Sequence, residues 1–176
     1  MNFKGNYILF LLFMVSTSWW SCRDGDDPGF QRPPEISFLG FEKVKSPGTG
    51  KDSLLVLKIG YKDENGDLGL SLTDTGAPYN QGLFRYNLWV DIMDLDNGGE
   101  DTIKVPGTSF NQIFHQRIPD LRPSGRNKYV EGEIEVSYDA SSLTIYPNTV
   151  KVYLQMVDRR LQLSNKVNSG PIQIEH

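Results

Sequence analysis

Hydrophobic residues recur at every second position after Pro34, and this period constrains the fold more than any other feature of the chain. In Phe84 to Ile92 the set Phe84, Tyr86, Leu88, Val90 and Ile92 alternates with Arg85, Asn87, Trp89 and Asp91. Val150, Val152, Leu154 and Met156 alternate with Lys151, Tyr153 and Gln155, and Val130, Ile134, Val136 and Tyr138 alternate with Glu131, Glu133, Glu135 and Ser137. A strand sends successive side chains to opposite faces, so each run predicts a strand with one buried face. Leu54 to Tyr61 is β-rich with a less regular alternation. Further strands are predicted at Ile36 to Phe41, Thr102 to Val105, Phe110 to Ile118 and Val167 to Ile174. Asn97-Gly98-Gly99, Pro106-Gly107, Pro123-Ser124-Gly125 and Pro147-Asn148 read as turns between them. Asn97-Gly98 is the strongest hairpin signal. No segment has a helical period of useful length. The pattern predicts an all-β fold, an antiparallel immunoglobulin-like β-sandwich of about seven to eight strands over residues 35–176, with a small barrel as the second choice.

Composition narrows the function classes. The chain is 38% hydrophobic and 23% charged, too apolar for disorder, and its 176 residues suffice to bury a core without disulfides. A single cysteine, Cys22, and two histidines, His115 and His176, provide neither an internal bridge nor a zinc cluster. A net charge of -4 with no basic stripe argues against nucleic acid.

The first 21 residues have the layout of a secretory signal: Lys4, the apolar run Tyr7 to Val15, then small residues up to Ser21. The apolar run falls short of the roughly 20 residues a spanning helix needs. Cys22 directly after Ser21 resembles a bacterial lipoprotein cleavage box. The usual box has Leu and then a small residue at the positions where this chain has Trp19 and Trp20; looser boxes of this kind resemble those of Bacteroidota-type lipoproteins. The resemblance implies removal of residues 1–21, a diacylglycerol thioether on Cys22 and attachment to the outer membrane. Several acyl chains hold firmly where one holds only marginally, at about 0.8 kcal/mol per buried methylene. Residues 22–34 read as a polar tether, whose Asp24, Asp26 and Asp27 resemble the acidic patch that goes with display on the cell surface. The plainer reading of those aspartates is a solvated linker.

The strand near Leu55 runs into Tyr61 to Leu70, "YKDENGDLGL", with Asp63, Asn65 and Asp67 at alternate positions and Gly66 and Gly69 permitting a tight turn. Alternate oxygen ligands on a curled loop suit calcium. Leu68 and Asp74 stand where an EF-hand loop needs Gly and a bidentate Glu, so at most a partial site is predicted. In the predicted sandwich the strand near Leu154 ends at the same pole, bringing Asp158, and with it Asn165, toward Asp63 and Asp67. The competing reading has these carboxylates capping loop amides or pairing with Arg159 and Arg160, with no ion.

A strand ending in Tyr-x-Asp-x-x-Gly-Asp-Leu-Gly and a late strand ending in Val-Asp before a Ser-Asn turn resemble the single-domain lipoproteins of Bacteroidota. That resemblance implies an immunoglobulin-like fold at the cell envelope and no particular activity.

Neighbouring strands around Leu88 and Leu154 would place Trp89 and Tyr153 on one outward face, with Arg85, Asn87, Lys151 and Gln155 around them, a surface suited to a glycan or a protein hot spot. The competing reading has Leu70 to Gly82 folded over the rings. No nucleophile elbow, zinc-binding His pair, phosphate loop or dinucleotide fingerprint occurs, and His115 reads as a surface histidine. The predicted function is a non-catalytic binding, adhesion or accessory module held at the membrane by Cys22, its partner a glycan or another envelope protein. The alternative is a hydrolase with an unrecognised carboxylate site, which a cleft gathering carboxylates or His115 would favour.

Overall fold

A computed structural model describes residues 32–122 and 128–176, so Cys22, the signal segment and most of the tether, including Asp24, Asp26 and Asp27, lie outside the described residues. Seven strands follow in chain order: β1 (Glu35–Lys45), β2 (Asp52–Asp63), β3 (Leu88–Asp94), β4 (Asp101–Thr102), β5 (Val130–Asp139), β6 (Thr149–Met156) and β7 (Val167–Gln173). They form two antiparallel sheets, ordered β1-β2-β5 and β4-β3-β6-β7. This is the expected immunoglobulin-like sandwich, with the fourth strand shifted into the larger sheet.

The period of two sorts the side chains of β3, β5 and β6 as predicted, and β2 and β7 complete the layer. Leu55, Leu57 and Ile59 of β2 face Leu88, Val90 and Ile92 of β3 and Val150, Val152, Leu154 and Met156 of β6 across a single core, with Val136 and Tyr138 of β5 and Ile172 of β7. Each fully buried aliphatic side chain contributes about 1.5–3 kcal/mol, so this layer is the main stabilising element. Asp52 staples one pole: its carboxylate accepts from Lys43 (2.8 Å) and the Glu175 amide (2.9 Å), tying β1 and β2 to the chain after β7.

Several sequence expectations shift, among them the strand predicted at Thr102 to Val105, which is the two-residue β4 instead because only Asp101 and Thr102 pair with β3. The run Phe84 to Ile92 is not one strand: Gly82–Arg85 forms a 3-10 turn and β3 starts at Leu88. Asn87, predicted to face outward, is buried. Its side chain donates to the Ile118 carbonyl (3.0 Å) and accepts the Ile118 amide (2.6 Å), which stops the alternation there. Phe110 to Ile118 is irregular, pairing only at Lys104 with Asn111 and Leu88 with Gln116. The Asn97-Gly98 turn joins β3 to β4 with Gly98 at φ +77°, as its sequence indicated.

Candidate binding site

The two acidic loops meet at one pole, as the strand order required. β2 ends at Asp63, and Asp158 lies just beyond β6. Asp63 accepts the amides of Asn65 (3.0 Å) and Asp67 (2.8 Å); Asp158 accepts those of Arg160 and Gln162 (both 2.8 Å). Each aspartate therefore braces a turn that begins at itself. Gly66 and Gly69 sit at φ +62° and +88°, and a Cβ on either would meet the carbonyl of Lys128 or of Pro119. Asn65 gives its amide to the Arg32 carbonyl (2.6 Å), and Asn165 clamps the backbone of Ile36 on both sides. Arg160 pairs with Asp67 (3.0 Å), whereas Arg159 turns away to Asp74 (2.6 Å) and Asp120 (3.3 Å).

Burial, and then the charges of Asp158 and Asp63, push the Asp67 carboxyl up to about 6. Burial likewise raises Asp158. Asp67 Oδ1 and Asp158 Oδ2 are buried and accept no hydrogen bond. The structure thus gathers Asp63, Asp67 and Asp158, but among the described residues no three His, Cys, Asp or Glu side chains are placed to hold one metal ion. Both oxygens of Asp63 are turned to backbone amides instead.

The second site lies on the outer face of the larger sheet. Trp89 pairs with Gln155 and Asp91 with Tyr153, so the two rings share that face as diagonal neighbours. They do not make one open platform. The 3-10 turn folds over Trp89, whose indole reaches the carbonyls of Tyr86 (3.2 Å) and Leu83 (3.3 Å) and whose ring lies 5.9 Å from Phe84. Arg85 stacks on Tyr86 at 4.8 Å. Tyr153 stands apart, with Lys151 and Lys166 each 4.9 Å from its ring centre and its hydroxyl on Glu100 (2.8 Å).

Beside Tyr153 the sheet is interrupted. β4 spans two residues and pairs only with Met93 and Asp94, while Gln116 bridges Leu88. The Val90 backbone between these pairings faces His115 rather than a strand. The His115 Nδ1 lies 3.0 Å from the Val90 nitrogen and 3.1 Å from its carbonyl oxygen. A cleft of about 530 Å³ opens along this edge, lined by Asp91, Glu100, Asn111, His115 and Tyr153 among others. Lys151 and Tyr153 hold the Glu100 carboxyl below its ordinary range.

Sequence reasoning missed Arg117. Its guanidinium donates to the carbonyls of Ser71 and Asp74 (2.9 Å each), Arg85 (3.2 Å) and Tyr79 (3.3 Å), gathering the long connection between β2 and β3. Nothing local marks this arginine, because its four partners lie 32–46 residues away. His115 was likewise read as a surface residue, whereas it is half-buried and substitutes for a strand partner. No helix among the described residues is long and apolar enough to cross a membrane. No protein-family model, curated protein or solved structure matches this chain.

Proposed function

We propose that this protein is a lipid-anchored, non-catalytic binding module of the bacterial cell envelope, attached to the outer membrane through Cys22. The observation that carries the binding reading is the cleft beside Tyr153, where each carboxylate is matched by a cation: Glu100 by Lys151 (2.8 Å) and Asp91 by Lys166 (3.5 Å). Such a wall holds a ligand in a neutral, polar setting. Membrane attachment is supported by the signal layout and by the placement of Cys22 directly after it.

The hydrolase reading draws on the same cleft, since Asp91, Glu100 and His115 all line it. Its chemistry is unfavourable. A glycosidase general acid needs a carboxyl raised toward neutrality, and Glu100 is held low. His115 turns its Nδ1 to the Val90 backbone rather than to an orienting carboxylate. Crosslinking in native membranes, followed by mass spectrometry, tests the binding reading. A specific crosslinked partner or glycan is the expected result; turnover of a supplied substrate, lost in Glu100→Gln, would replace binding with catalysis.

A further inference from the structure

The Val90–His115 contact leaves an unmet hydrogen bond at the cleft. One ring nitrogen cannot both accept the Val90 N–H and donate to the Val90 carbonyl; whichever proton position the imidazole adopts, one of the two backbone groups lacks its partner. The contact is part-buried and borders the cleft, so a ligand group able to donate or to accept can meet the unpaired partner there. The neighbouring side chains have the same mixed character. Asn111 accepts from the Thr102 hydroxyl at 3.3 Å and has no protein acceptor for its amide nitrogen among the described residues. Asp91 holds Lys166 only at 3.5 Å.

The charges beside the cleft are paired, Glu100 with Lys151 (2.8 Å) and Asp91 with Lys166 (3.5 Å), so an ionic ligand meets no unpaired counter-charge among them, which favours a neutral one. Hydroxyl groups suit such a wall, because each both donates and accepts. Ile113, which is 58% exposed, and Met93 add apolar surface against the faces of a ring. The volume of about 530 Å³ lies within the range of about 300–1,000 Å³ seen for small-ligand sites.

We infer that the cleft between β3 and the segment Asn111–His115 binds a neutral polyhydroxylated ligand, a short stretch of uncharged glycan. This rests on the binding-module reading and assigns that module its ligand class and its site. The cleft, rather than the Trp89 surface, does the binding, because the turn Gly82–Arg85 already occupies Trp89.

The test is a printed array of neutral hexose, N-acetylhexosamine and uronic acid oligosaccharides, followed by calorimetric titration of the strongest binder. Capture of a neutral oligosaccharide is expected, weakened about tenfold or more by Asn111→Ala and by Asp91→Asn and unchanged by Trp89→Phe. Asn111 and Asp91 are exposed, and matching thermal midpoints will establish that both variants fold. Silence of every neutral member, binding confined to uronic acids, or neutral binding that ignores both substitutions overturns the inference. A protein crosslinked in native membranes and lost in Asn111→Ala would also overturn it while leaving the binding-module reading intact.

Discussion

Asp67 illustrates how much a single side chain can carry at the acidic pole. Its carboxyl is raised by burial and by two neighbouring carboxylates, so the folded state holds its proton more tightly than the unfolded chain does. The stabilisation is complete below the ordinary aspartate range near 4 and is lost as pH rises through about 6. The thermal midpoint is therefore expected to fall between about pH 4 and 7, and Asp67→Asn to flatten that decline and raise the midpoint at pH 7 by a few degrees. An unchanged slope in the variant would place the effect elsewhere. Asp74 has the opposite sign: Arg159 holds it down at about 2, so its contribution disappears only as pH falls toward that value. Calcium at millimolar concentration is expected to leave the midpoint unmoved. Among the described residues no three carboxylate or histidine side chains there are placed to hold one ion, and both oxygens of Asp63 already accept backbone amides, against the six to eight or so oxygens that calcium takes.

At the scale of elements, the loop after β2 is fixed by its glycines and the connection to β3 by an arginine. Gly66→Ala and Gly69→Ala each put a Cβ within about 2 Å of a backbone carbonyl at a positive φ (1.8 and 2.1 Å). Each is expected to destabilise by about 2–4 kcal/mol, measured by denaturant unfolding. Arg117→Lys is expected to speed amide exchange across Ser71–Arg85 and to leave β2 and β6 protected, because a lysine cannot hold four separate carbonyls in one plane. Both glycines were legible in the sequence, since a turn among acidic residues needs them. Arg117 was not, because a guanidinium's partners depend on which loops cross it.

The whole molecule joins a predicted address to a folded body. If Cys22 bears the lipid, Cys22→Ser moves the protein from the membrane to the soluble fraction with its thermal midpoint unaltered, since the sandwich begins only at Glu35. Fractionation and intact-mass measurement from the native host check this; a membrane-bound variant would refute the anchor. Arg32 packs with the folded body, pairing with Glu64 (3.1 Å) and receiving the Asn65 amide on its carbonyl. The chain therefore enters the sandwich at its acidic pole.

The alternation of apolar residues by itself determined the inward faces of β3, β5 and β6 and pointed to the antiparallel sandwich they help to build, because the pleat of a strand is a local property with a period of two. The turn at Asn97-Gly98 and the tight loop at Gly66 were determined in the same local way. Tertiary structure alone decided that Asn87 turns inward, that Arg159 serves Asp74 rather than Asp67, and that His115 fills the broken edge of a sheet. Those outcomes depend on which distant segments meet, and polar side chains take whichever partner the packed backbone leaves within reach.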